Sequence, residues 1–160
     1  MHVEIETLPA LRLATVRHLG PYQQIGRAFG RVDEIVTRAG LPHRELVGVY
    51  YDDPTLTPAD QLRSDAGVLI DEGVQLPPGL VEQRVPAGRY ARAEHAGSYA
   101  GLPGSWGELK RALAAQTGNP NPRGYTFELY RNTPMEVPEG ELRTLLYMSI
   151  AEAGRGAGGP

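Results

Sequence analysis

Residues 18–22 read HLGPY and residues 95–99 read HAGSY, so this chain states one structural phrase twice, 77 residues apart. Slid along itself by that interval, the sequence matches without gaps from Ala14/Ala91 onward. His18 falls on His95, Gly20 on Gly97, Tyr22 on Tyr99, Phe29 on Trp106, Val32 on Leu109 and Val36 on Leu113. Apolar residues at 25, 28, 29, 32, 35, 36 and 39 have the spacing of an amphipathic helix, and 102, 106, 109, 112 and 113 repeat it. Pro21 suits a first helical turn, and Gly40 and Gly118 stand where helices stop. Further on the offset becomes 80: GVYYDDP (48–54) faces ELYRNTP (128–134), and DAGVLI (65–70) faces LLYMSI (145–150). These are short β-prone runs bounded by turn formers. TPADQL (57–62) reads as a capped turn, and runs near Val3–Ile5 and Val81–Val85 add a leading strand to each half.

The expected fold is therefore α+β, a duplicated strand–helix–strand–strand unit with pseudo-twofold symmetry. Its antiparallel sheet carries two main helices and a central ligand groove. The expected organisation is a single domain over 1–151, made of repeats at about 1–77 and 78–151, with a flexible Gly-rich tail at 152–160.

Composition narrows the function. No segment is long and apolar enough to span a membrane, and no basic-then-apolar leader opens the sequence. With zero cysteines, disulfide frameworks, thiolate metal sites and cysteine nucleophiles are all excluded. A cytoplasmic protein without cofactor is the expectation. The net charge is −3, and neither half is strongly basic, so direct nucleic-acid binding is not expected.

The segments HLGPY, YYDDPTLTPADQLRSDAG, GRYARAEHAGSY, FELYRN and LLYMSI resemble the GyrI-like family, also called SbmC-type DNA gyrase inhibitors. This family shares its domain with the effector-binding parts of Rob- and BmrR-type regulators. The resemblance spans about residues 3–151 and implies a groove for small apolar, often cationic molecules. It is to the stand-alone members, since the chain has no residues left for a helix-turn-helix module. Three activities follow from it: capture of hydrophobic or cationic drugs and toxins, protection or inhibition of DNA gyrase through protein contact, and hydrolysis of cyclopropane-bearing DNA-alkylating natural products.

Glu128 divides these readings. In YTFELYR (125–131) it alternates onto one strand face with Thr126 and Tyr130. By spacing alone it is a polar residue on the wet face of a half-buried strand. The resemblance instead implies a groove glutamate. Glu128 aligns with Gly48, so the acid belongs to one half only, which a shared structural duty would not explain. An acid among aromatic walls is poorly solvated and is relieved by a counter-cation, and facing rings add cation–π attraction. In the hydrolase reading Glu128 is the general base or acid.

The aromatic candidates for the wall are Trp106, Tyr147, Tyr130, Tyr50, Tyr99 and Tyr90. Trp106 and Tyr147 match family aromatics; each also fits an ordinary core position. Other features read as structural. His18 and His95 sit at symmetric strand–helix junctions and suit turn or capping roles. Asp52 and Asp53 precede a proline and suit a turn. GLPGSWG (101–107) lacks the phosphate-loop pattern, and no metal site or Ser–His–Asp arrangement follows from spacing.

Overall fold

The computed structural model describes residues 1–117 and 125–150; the Gly118 helix stop and the tail at 152–160 lie outside the described residues. The chain forms two compact units, Ala10–Pro86 and Met1–Pro9 with Ala87–Pro160.

The continuous unit contains β2 (Leu11–Leu19), α1 (Gly26–Ala39), β3 (Leu46–Tyr50), β4 (Arg63–Leu69) and β5 (Val81–Val85). Its strands are ordered β3-β4-β2-β5, every neighbour antiparallel. The other unit contains β1 (Glu4–Leu8), β6 (Gly88–Ala96), α2 (Leu102–Thr117), β7 (Thr126–Tyr130) and β8 (Arg143–Ser149). Its order is β7-β8-β6-β1, again antiparallel. The α+β duplicated unit expected from the repeat is what forms, and its register is equivalent in both copies: Gly48 lies opposite Ala66, and Glu128 opposite Leu146.

The leading strands are exchanged between repeats. β1 pairs with β6 of the later repeat, while β5 pairs with β2 of the earlier one, in matching register (Leu8 opposite Gly88, Leu11 opposite Val85). The compact units thus follow strand pairing, and a cut at 77 would separate β5 from β2. Local chemistry accounts for the exchange. The links β1–β2 and β5–β6 are the dipeptides Pro9–Ala10 and Pro86–Ala87. A two-residue hairpin needs positive φ, which Gly or Asn supplies and Pro forbids. The chain therefore cannot fold back on itself there.

Each helix covers one face of its sheet. Val32, Ile35 and Val36 of α1 pack with Ala14, Ala66 and Val68; Leu109 and Leu113 of α2 pack with Ala91, Ala93, Leu146 and Met148. Gly40 ends α1 in the left-handed conformation, as its position predicted. Both helices are preceded by a short 3-10 turn, Tyr22–Gln24 or Tyr99–Gly101, so Pro21 caps that turn and does not enter α1. TPADQL contains an equivalent 3-10 turn at Ala59–Gln61.

Candidate functional site

In the unit that holds α2, strand alternation turns Glu128 toward the helix-covered face, where it is 4% exposed. Such burial of a carboxylate requires donors. Two are present. The Trp106 indole Nε1–H donates to Oε2 at 2.7 Å, and the Tyr130 hydroxyl donates to Oε1 at 2.6 Å. Trp106 reaches across from the first turns of α2, while Tyr130 stands two residues along β7 on the same face. The Tyr99 ring packs edge-on against Tyr130, centroids 5.7 Å apart. Burial, with the Glu128 charge adding to it, raises the Tyr99 phenol above its ordinary pKa.

The first repeat keeps the rings and lacks the acid. Tyr22 packs edge-on against Tyr50 at 4.8 Å, the counterpart of Tyr99 and Tyr130, with Phe29 where Trp106 stands and Gly48 where Glu128 stands. The hydroxyls differ too. The Tyr22 hydroxyl lies within hydrogen-bond distance of the Asp52 and Arg63 carbonyls and accepts from the Asp52 N–H. The Tyr99 hydroxyl has no hydrogen-bond partner among the described residues. Relative to its twin, the second repeat therefore offers a buried acid, an indole donor and an uncommitted phenol.

Of the residues singled out in the sequence, Glu128, Trp106, Tyr130 and Tyr99 come together. Tyr90 and Tyr147 do not join them. β7–β8 register places Phe127 opposite Tyr147, one residue out of phase with Glu128, and these two rings stack at 4.6 Å. Tyr90 meets both edge-on, so the three form a buried aromatic cluster on the opposite sheet face. Tyr50 belongs to the other unit, with Tyr22.

The remaining polar features resolve into turns. His18 Nε2 bonds the Pro21 carbonyl at 2.9 Å, and His95 Nε2 bonds the Ser98 carbonyl at 2.8 Å. Asp53 accepts from the Thr55 backbone and hydroxyl; Asp52 pairs with Arg63, which holds its carboxyl below the usual range. Among the described residues no three His, Asp or Glu side chains are grouped as metal ligands, and no helix is long and apolar enough to cross a membrane. Sequence reasoning passed over Ser105, whose hydroxyl lies 2.7 Å from His95 Nδ1. The one signal was its alignment with Ala28, a polar residue where the repeat has an apolar one.

Residues 1–151 match the family described as a GyrI-like small molecule binding domain. Similar proteins include a DNA gyrase inhibitor of Yersinia enterocolitica, 29% identical over 76% of this chain and 80% of the relative. DNA gyrase inhibitor 2 of Dickeya dadantii is 31% identical over 81% of this chain and 85% of its own. Among solved structures, the C-terminal domain of EcmrR superposes with a TM-score of 0.76 at 15% identity, covering 95% of this chain and 98% of that one. SAV2435 bound to tetraphenylphosphonium gives 0.66 at 14% identity, covering 92% and 93%.

Proposed function

The chain belongs to the GyrI-like family of small-molecule-binding domains, and from that premise we propose that it captures hydrophobic cations at Glu128. The observation that carries this reading is the buried carboxylate held by Trp106 and Tyr130, present in one repeat and missing from its twin. Trp106 and Tyr130 are neutral donors, so their bonds to the acid bring no positive charge with them. A lipophilic cation would bring one beside the carboxylate, and each facing ring adds roughly 1 kcal/mol of cation–π attraction. Trp106 and Tyr99 are only half-buried, so a ligand meets these rings first. A swing of the indole away from Oε2 then brings the cation to the carboxylate, and the Tyr99 hydroxyl is available as a further donor.

Trp106 is the only tryptophan, so its emission reports the site directly. Titration with tetraphenylphosphonium or a rhodamine dye should show saturable quenching. Glu128→Gln should weaken binding more than tenfold, about 1.4 kcal/mol or more. Equal affinity in both proteins would overturn the assignment.

The named relatives favour a second reading, inhibition of DNA gyrase by protein contact. It predicts that purified protein lowers gyrase supercoiling at micromolar concentration, and that Glu128→Gln does so equally well. Supercoiling unchanged by the wild-type protein removes it.

A further inference from the structure

We propose that Ser105 and His95 form a second, chemically reactive site, in which Ser105 is a nucleophile toward small carboxylic esters. The tautomer is fixed by the neighbours. A carbonyl only accepts, so the His95 nitrogen facing Ser98 O, Nε2, carries the hydrogen. In the neutral ring Nδ1 is then the lone-pair nitrogen, and the Ser105 hydroxyl 2.7 Å away donates to it. This is the order of a nucleophile, a base and a third group that orients the base, the third place being taken by a backbone carbonyl.

The repeat separates this arrangement from the turn role of the histidine. His18 makes the same bond to its own turn carbonyl, yet Ala28 stands where Ser105 does and Gln24 where Gly101 does. Both differences converge on His95. Ser105 gives Nδ1 its partner. Gly101 makes room for the ring, because a Cβ there would lie 2.9 Å from His95 Cε1. A histidine needed only to close the turn requires neither change.

Access is also present. His95 is buried at 7% exposure, whereas Ser105 is half-buried and opens with Glu108, Arg92 and Arg131 onto a cleft of about 560 Å³. That volume accommodates a small ester. Ser105 Oγ attacks the ester carbonyl carbon and its proton passes to His95 Nδ1. When the tetrahedral adduct collapses, the bond to the alcohol oxygen breaks and the alcohol leaves with that proton. Water then attacks the acyl-serine by the same route, releasing the carboxylic acid and restoring the Ser105 hydroxyl.

The test is reaction of the full chain with a fluorophosphonate probe, followed by intact-mass and peptide mapping, alongside p-nitrophenyl acetate turnover. One adduct on Ser105 is expected. Ser105→Ala should abolish it and should fold, since alanine occupies the equivalent position in the first repeat. His95→Gln should slow labelling at least tenfold. Gly101→Ala, which keeps both reacting side chains but displaces the ring, should also slow it, with circular dichroism as the check on folding. No adduct on the wild-type protein, an adduct on another residue, or equal labelling of folded Gly101→Ala would each overturn the proposal.

Discussion

The Trp106 and Tyr130 donors on Glu128 differ in what they can do once the acid is gone. The indole N–H only donates, whereas the Tyr130 hydroxyl can turn and accept. In Glu128→Gln the amide oxygen can face Trp106 while the amide N–H donates to Tyr130, so both partners stay satisfied. In Glu128→Ala the Trp106 indole N–H and the hydroxyl of Tyr130, a residue 8% exposed, both lose the carboxylate they donate to. Thermal or urea denaturation should therefore show Glu128→Gln within about 1 kcal/mol of wild type and Glu128→Ala roughly 1–3 kcal/mol less stable. A larger loss for Gln than for Ala would contradict this hydrogen-bond arrangement. Spacing alone put Glu128 on a wet strand face, where the structure buries it; the family resemblance pointed to it and to Trp106, and the repeat, with Gly48 in place of the acid, was a further hint for Glu128. Tyr90 and Tyr147 were not separable from Tyr130 on the same grounds. Alternation assigns faces within one strand, but comparing strands needs the β7–β8 and β6–β8 registers, which are non-local.

At the scale of elements, the helices and short strands were readable from local periodicity, and the two Pro–Ala links were the overlooked clue to strand exchange. They lack hairpin residues, yet only pairing partners far along the chain show where β1 and β5 go. One close contact fixes how tightly β2 and β4 approach. A Cβ on Gly67 would sit 2.6 Å from the Ala14 carbonyl oxygen and 2.8 Å from Thr15 Cγ2. Backbone cannot yield as a flexible side chain can. Gly67→Ala should cost roughly 1–3 kcal/mol by overpacking, read as a lowered denaturation midpoint; unchanged stability would show that the ladder opens there without penalty. The second repeat has Tyr147 at this position, inside the aromatic cluster, so the same register position carries no side chain in one sheet and a ring in the other.

For the whole molecule, the exchanged strands predict which fragments fold. Residues 10–86 contain β3-β4-β2-β5 and α1 complete, whereas residues 1–77 keep β1 and lose β5. The first fragment should give dispersed amide resonances and cooperative unfolding, and the second should not. If both unfold alike, β5 contributes little to that sheet. Alkaline pH provides a second global readout. Tyr22, Tyr99 and Tyr147 all have raised pKa values, chiefly because burial disfavours the phenolate. A raised folded value means that the native state holds the proton more tightly than the unfolded chain. The resulting stability is complete below the ordinary phenol value of 10.0 and is lost as pH rises through the folded values. The denaturation midpoint should stay level on the neutral side and fall in the alkaline range. In Glu128→Gln, Tyr99 should ionise at lower pH than in wild type.

Exchange of the leading strands also bears on how such a gene can change. Unequal crossing-over that deletes one copy would leave the survivor with a strand whose partner has vanished and a sheet whose last row is missing. A single copy cut from this tandem pair would have to borrow the missing row from a second molecule, so loss of one repeat should be felt as self-association before it is felt as lost chemistry.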